Sequence, residues 1–188
     1  GKGEFAKNAM KLMLRPFANV YPTVRFACSH YAGEWLFGKN ADFTVIPNGI
    51  ELDKFQFDPV IRQETRKELG IADDTFLIGH VGRFMPQKNQ AFLVDVLADL
   101  LPKRSNTMLA FVGDGPDRPA VQQHAVELGI ADHVLFLGQR SDVNRLYQAF
   151  DVFCLPSLYE GLGMVAVEAQ VAGLPCLLGD AVPLEADV

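Results

Sequence analysis

Two glutamates eight positions apart, Glu160 and Glu168, bracket a glycine turn in the stretch YEGLGMVAVEAQ (159–170). A helix starting near Gly163 would aim the amides of Gly161, Leu162 and Gly163 at whatever lies above the turn. The helix dipole favours an anion there, and two glycines let it come close. Glu160 would stand at the rim of that site, or would be an exposed loop acid. Glu168 sits five residues into the helix, beyond the first turn, and cannot be an N-cap. Flanked by Val167 and Ala169, it should be at least partly buried, and a buried carboxylate needs a partner. A vicinal diol would suit it, since a carboxylate accepts two hydrogen bonds side by side. A salt bridge to a neighbouring element would serve as well.

Cations stand upstream. In GRFMPQKN (82–89), Arg83 follows a glycine and Lys88 comes five residues later, where a helix should begin. A guanidinium that grips two oxygens and an ammonium acting as a point charge make a receptor for a diphosphate, unless both are ordinary solvated loop cations. In VGDGP (112–116), Gly113 and Gly115 allow positive φ or close approach to a ligand, or simply make a turn. A dinucleotide GxGxxG would need glycine at 118, which is Arg118, so a hydride-transfer cofactor gains little support. In LGQRSD (137–142), loop backbone and the stem of Arg140 could meet a nucleobase, or the loop is solvent-facing with Ser141 capping the next helix. There is no GxSxG, P-loop or HExxH, and His30, His80, His124 and His133 lack metal-ligand spacing. His80, near a strand end in IGHVG, reads as a hydrogen-bonded core histidine.

The elements that must carry these groups follow a regular pattern. Strands are expected over 76–84, 107–115, 133–138, 151–157 and 175–180, with helices over 88–104, 118–129, 141–150 and 163–173. In the first helix Phe92, Leu93, Val96, Leu97, Leu100 and Leu101 recur at helical spacing, and Gly129 is a C-cap candidate in the second. Each strand is a continuous apolar run followed by a helix, which indicates a parallel sheet covered on both faces. The fold class is therefore α/β, a Rossmann-like doubly wound parallel sheet. Ligands gather at the C-terminal ends of such strands, where all four loops lie.

The 188 residues are 49% apolar and 21% charged, which is globular composition. A net charge of −6 gives no reason to expect a nucleic-acid partner. Residues 1–46 carry +3 and the remainder −9. No apolar run approaches the length of a bilayer span, and no signal peptide opens the chain. Cys28, Cys154 and Cys176, without CxxC spacing, read as reduced buried thiols of a cytoplasmic protein. TVRFACS (23–29) reads as a lone strand, and FTVIPNGIELDKF (43–55) as a strand running into a turn. A single strand cannot bury a core, so residues 1–46 are expected to be the tail of another domain and 47–188 the main one. The ending LEADV adds no closing helix, so the domain reads as truncated at both ends.

Taken in order, VIPNGIELDKF, GRFMPQKN, VGDGP, VLFLG and DVFCLPSLYEGLGMVAVEAQVAGLP with its Glu-x7-Glu resemble the retaining glycosyltransferases of family 4, of group 1 type. HVGRFMPQKNQ and EGLGMVAVEAQ are most similar to bacterial exopolysaccharide and capsule enzymes. The resemblance runs from about residue 23. It implies the GT-B architecture, of which this chain would be the C-terminal, donor-binding half. It implies transfer of a sugar from a nucleotide-sugar, UDP-linked, to a glycan or lipid-linked acceptor with retention, without a metal or other cofactor. Arg83 and Lys88 would hold the diphosphate and stabilise its charge, and Glu168 would take the ribose hydroxyls. Glu160 would contact the donor sugar. The amides of Gly161, Leu162 and Gly163 would meet sugar and phosphate, Gly113 would border the site, and Gln139 and Arg140 would flank the base. The enzyme would be cytoplasmic, peripheral to the inner face of the membrane through its N-terminal domain. The basic segment 7–15 would touch anionic lipid or, better, pack on that domain. Alone, the chain would bind nucleotide weakly without turnover. A nucleotide-binding module without chemistry and a GT-B sugar-nucleotide epimerase are the alternatives, with a NAD-dependent dehydrogenase last.

Overall fold

The structure, a computed structural model, describes residues 9, 10 and 12–188. The chain divides into two compact units, Gly1–Gly49 and Ile50–Val188. Lys7 and Lys11 of the basic segment lie outside the described residues.

In the first unit, the short helix α1 (Phe17–Val20) precedes strand β1 (Phe26–Ala27), helix α2 (His30–Phe37) and strand β2 (Thr44–Val45). The strand expected to stand alone at 23–29 shrinks to two residues and pairs in parallel with β2. Ser29 caps α2 by accepting from the Ala32 amide at 3.1 Å. Phe17, Phe26, Tyr31 and Trp35 are exposed.

The second unit begins with α3 (Leu52–Phe55) and α4 (Pro59–Glu68). It continues as β3 (Phe76–Val81), α5 (Gln90–Leu100), β4 (Thr107–Val112), α6 (Arg118–Glu127), β5 (Val134–Phe136), α7 (Val143–Ala149), β6 (Val152–Leu155), α8 (Met164–Val171) and β7 (Cys176–Leu178). All five strands are parallel, in the order β5-β4-β3-β6-β7. The expected strands and helices are present, each shorter than its expected span.

Side chains alternate between two cores, as a strand period of two requires. Leu77, Val81, Ala110, Val112, Phe153 and Leu155 join one core with α7 and α8 residues such as Leu146, Tyr147, Ala166 and Ala169. Ile78, Leu109, Phe111, Val152 and Cys154 join the other with Leu93, Val94 and Leu97 of α5 and Val121 and Ala125 of α6. Both sheet faces are thus covered, which is why the strands read as unbroken apolar runs. The three cysteines are free thiols, Cys154 buried and Cys28 and Cys176 half-buried, and burial pushes Cys154 and Cys176 up to about 11.

Helix α4 is absent from the sequence expectations. Asp58 caps it, accepting from Val60 N at 2.7 Å, and Pro59 opens it. Its Arg62 and Arg66 clasp Asp151 at the start of β6, at 2.6 and 3.4 Å. The same carboxylate accepts from Leu77 N at 2.7 Å, so one side chain ties α4, β3 and β6 together. Ser141 does not cap α7. Asp142 holds the cap position without capping, its carboxylate being engaged by Arg140.

Candidate donor-binding site

Strands β3 and β6 lie side by side at the centre of the sheet. The helix after β3 covers one face and the helix after β6 the other. Their loops therefore part at the carboxyl ends of the strands and leave a crevice, the usual ligand position in such sheets.

The two loops are sewn together at the crevice. Leu158 N donates to Gln87 O at 2.8 Å, and Gln87 Nε2 donates to Tyr159 O at 2.7 Å. Asn89, held in the left-handed region at φ 53°, donates from its side chain to Pro156 O at 3.4 Å. Between them Lys88 Nζ pairs with Glu160 Oε1, and Ser157 Oγ donates to that same oxygen at 2.6 Å. Glu160 is not the rim acid of the sequence expectation. It is 6% exposed, because an ammonium and a hydroxyl from neighbouring turns draw it inward. Burying a carboxylate is affordable only with such partners.

Beside this pair, Arg83, Gly113, Asp114, Gly115, Pro116 and Gln139 line an open cleft of about 570 Å³. Arg83 is exposed, and its carbonyl is fixed by Gln90 Nε2 at 3.0 Å. The loops after β3, β4 and β5 are joined by Phe84 N to Asp114 O at 3.0 Å and Gly113 N to Gly138 O at 2.7 Å. The glycines at 113 and 115 are required by this junction. A Cβ on Gly113 would lie 2.1 Å from Gly82 O, and one on Gly115 2.2 Å from Phe84 O. Only glycine permits such an approach.

Arg140 stands apart from this lining. Its guanidinium is held by Asp142 at 2.7 Å and Glu68 at 3.0 Å, and in return it keeps the Asp142 carboxyl below its ordinary range. Glu68 ends α4, so the pair ties this loop to that helix.

The floor near β6 is the start of α8. Gly163 takes the N-cap position at φ 82°, and no side chain caps the helix. A left-handed residue there favours glycine. Leu162, 7% exposed, anchors the turn in the interior. Glu168 is half-buried and accepts from the Tyr147 hydroxyl at 2.9 Å. Its partner within the chain is thus a phenol rather than a salt bridge. Burial raises its carboxyl above the ordinary value, against the opposing pull of that hydrogen bond. Tyr147 is itself fully buried, and burial, then the Glu168 charge, raises its phenol well above its usual range.

Beneath the loops His80 is fully buried, as the sequence suggests, with Nδ1 2.9 Å from Cys154 O. Burial, and secondarily the Lys88 charge, bring it down to about 4.

The structure therefore brings Arg83, Lys88, Gly113, Gln139, Glu160, Gly161, Leu162 and Gly163 to the carboxyl ends of adjacent strands, with Glu168 one helical turn behind and Arg140 paired with Asp142 and Glu68. Sequence reasoning missed Ser157, Tyr147, Gln87 and Gln90. Ser157 lies three residues before Glu160 and Gln90 two after Lys88, so nearness in the chain was the available signal for both. Tyr147 lies on another helix, and no local spacing links it to Glu168.

Residues 61–188 match the family described as Glycosyl transferases group 1. The chain is 38% identical over 180 residues to EpsF of Bacillus subtilis (strain 168), which carries a glycosyltransferase name. It is 34% identical over 142 residues to an Escherichia coli UDP-Gal:alpha-D-GlcNAc-diphosphoundecaprenol alpha-1,3-galactosyltransferase. Those alignments cover 94% and 73% of this chain, and 47% and 36% of the relatives. Among solved structures it is similar to Anabaena Alr3699/HepE in complex with UDP and glucose, with a TM-score of 0.83 and 28% identity, covering 92% of this chain and 48% of that one. The chain thus spans less than half the length of these relatives. The parallel α/β unit is a Rossmann-like half of the GT-B kind. The chain belongs to the group 1 glycosyl transferases.

Proposed function

We propose that this chain is the donor-binding part of a retaining glycosyltransferase of bacterial exopolysaccharide or capsule synthesis, taking a UDP-sugar. The observation that carries it is that Lys88, on the loop after β3, meets Glu160 beside the uncapped start of α8 at the crevice between β3 and β6, while Arg83 of the same loop lines the cleft formed with the loops after β4 and β5. Two cations and a helix N-terminus there favour a diphosphate. UDP and sugar conjugates of the HepE complexes and the UDP-Gal of the Escherichia coli relative's name support the nucleotide.

In this reading Arg83 and Lys88 take the diphosphate, the 161–163 amides meet phosphate and sugar, and Glu160 contacts the sugar. Glu168 turns its remaining acceptor capacity to the ribose hydroxyls, since Tyr147 uses only part of it. Gln139 and the backbone of its loop flank the base, while Arg140, clasped by Asp142 and Glu68, shapes that loop. The bond from the anomeric carbon to the phosphate oxygen breaks as the acceptor oxygen bonds on the same face. The departing diphosphate takes the acceptor proton, and Arg83 and Lys88 stabilise its charge without a metal. The diphosphoundecaprenol in the relative's name supports a lipid-linked acceptor, and in this reading the transfer takes place at the cytoplasmic face of the membrane. No described helix is long and apolar enough to cross a membrane. Residues 1–46 belong, in this reading, with the acceptor side, and the 188 residues alone bind donor without turnover.

Calorimetry against UDP, GDP and ADP, and then their sugar conjugates, tests this. Glu168→Ala should weaken UDP binding by roughly 1.5–3 kcal/mol, the value of hydrogen bonds to a charged acceptor. Unchanged affinity would remove the ribose assignment. Affinity indifferent to the sugar and to Glu160 would favour a plain nucleotide-binding module.

A further inference from the structure

His80 presents a polar atom without a partner directly under the donor site. Its Nδ1 faces the Cys154 carbonyl at 2.9 Å, and a carbonyl can only accept, so the ring proton is on Nδ1. Nε2 is therefore a bare lone pair. It is buried and, among the described residues, meets no hydrogen-bond donor. Buried polar atoms are almost always satisfied, and exceptions call for an explanation.

The position of this atom supplies one. A Cβ on Gly82 would lie 3.0 Å from His80 Nε2 and 3.5 Å from Lys88 Cδ. Ring nitrogen and lysine stem thus converge on the space that Gly82 leaves open. The ammonium of Lys88 stands at Glu160, and rotation about the last two bonds of its stem would carry it toward the ring. The imidazole is also fixed in place, packed edge-on against Phe111 with centroids 5.7 Å apart. Burial and the lysine charge keep it neutral, so the lone pair stays available.

We infer that His80 is a positioning residue for Lys88: its Nε2 accepts a hydrogen bond from the ammonium when an entering diphosphate displaces Glu160 from the pair. The inference rests on the donor-site reading above. An ammonium has three hydrogens. In the structure one goes to Glu160. With donor bound, the phosphates take what Glu160 gives up, Glu160 is released toward the sugar, and His80 fixes the rear of the ammonium. Lys88 is then aimed by a rigid group rather than by its own flexible stem. This also accounts for a glycine at 82, where a side chain would fill the space between ring and lysine.

The test is a double-mutant cycle in nucleotide binding. UDP is titrated by calorimetry into the wild-type chain, His80→Phe, His80→Gln, Lys88→Ala, and His80→Phe combined with Lys88→Ala, each checked for folding by circular dichroism. His80→Phe keeps a flat ring without an acceptor and should bind UDP about tenfold more weakly. His80→Gln, which restores an acceptor oxygen, should recover most of the loss. In the Lys88→Ala background His80→Phe should add nothing, because the interaction is already gone. A purely structural histidine would give the same loss in both backgrounds, and that result, or a His80→Phe affinity equal to wild type, overturns the inference. Should His80→Phe fail to fold, nitrogen NMR of the wild-type imidazole decides. The Nε2 signal should move from a bare to a hydrogen-bonded position on adding UDP, and should not do so in Lys88→Ala. A stationary Nε2 signal in UDP-saturated wild type overturns the inference. A folded wild-type chain with no affinity for any of UDP, GDP or ADP overturns the donor-site reading itself, and this inference with it.

Discussion

Lys88 and Glu160, 72 residues apart in the chain, form an ion pair across the junction of β3 and β6, with side chains 15% and 7% exposed. Each removes the other's cost of burial, and each is a group the donor would use. Removing only the lysine therefore does two separable things. Lys88→Ala should destabilise the chain by about 3 kcal/mol in urea unfolding, because Glu160 is left buried beside Ser157 alone. Adding Glu160→Gln should restore most of that stability and none of the UDP affinity. Recovery of both together would mean that the lysine acts on the fold only.

Gly113 and Gly161 separate two reasons for glycine in a binding loop. At Gly113 a methyl group would overlap the Gly82 carbonyl and φ is 131°, so Gly113→Ala should force the loops after β3 and β4 apart. The expected cost is about 3 kcal/mol, with UDP binding lost alongside. At Gly161 a Cβ meets nothing within 4 Å. Gly161→Ala should leave the thermal midpoint unchanged and weaken the sugar conjugate more than UDP itself. A midpoint shift as large as that of Gly113→Ala would show that residue 161 also serves the fold.

Much of this arrangement is legible in the chain because parallel strands covered on both faces are written as unbroken apolar runs, and the loops that follow them carry the charged and glycine residues. Arg83, Lys88 and the 160–163 turn are found that way. Burial is not, because it depends on partners distant in sequence. Glu160 looks exposed until Lys88 and Ser157 are brought to it. Arg140 looks available until Glu68, on a helix 72 residues earlier, takes hold of it. That helix, α4, is polar in composition, and the residues it buries are Thr65 and Arg66 rather than apolar ones. Its signals are Asp58 as cap, Pro59 at the first position and Arg66 and Lys67 in the last turn, which a reading based on apolar periodicity passes over.

The same helix carries a stability prediction. Asp151 accepts from Arg62, Arg66 and the Leu77 amide, and Arg66 is only 2% exposed. Asp151→Ala leaves the Leu77 amide without its acceptor and takes the counter-charge from Arg66, whose guanidinium keeps only the neutral carbonyls of Ala72, Thr75 and Ala149. It should cost about 3–4 kcal/mol and detach α4 first, visible as early loss of amide protection over 59–68 in hydrogen exchange. Uniform loss of protection across the sheet would instead place Asp151 in the core of the whole unit.

Glu168 provides a pH test with an unusual sign. Burial raises its carboxyl above the ordinary value in the folded chain. A carboxyl raised on folding holds its proton more tightly when folded than when unfolded, so it weakens the fold as pH climbs through and beyond its ordinary range. At low pH, where it is protonated in both states, that penalty vanishes. Glu168→Gln keeps an acceptor for Tyr147 and removes the charge, so it should raise the thermal midpoint at neutral pH by roughly 2 °C. The gain should shrink on acidification toward the ordinary carboxylate value. UDP affinity should fall in the same variant, since the amide is a weaker acceptor for a diol. A stabilised variant that binds worse is the mark of a group kept charged for its ligand at the expense of the fold. A destabilised Glu168→Gln at neutral pH would mean that the carboxylate's bond to Tyr147 outweighs its desolvation, and that Glu168 serves the fold first.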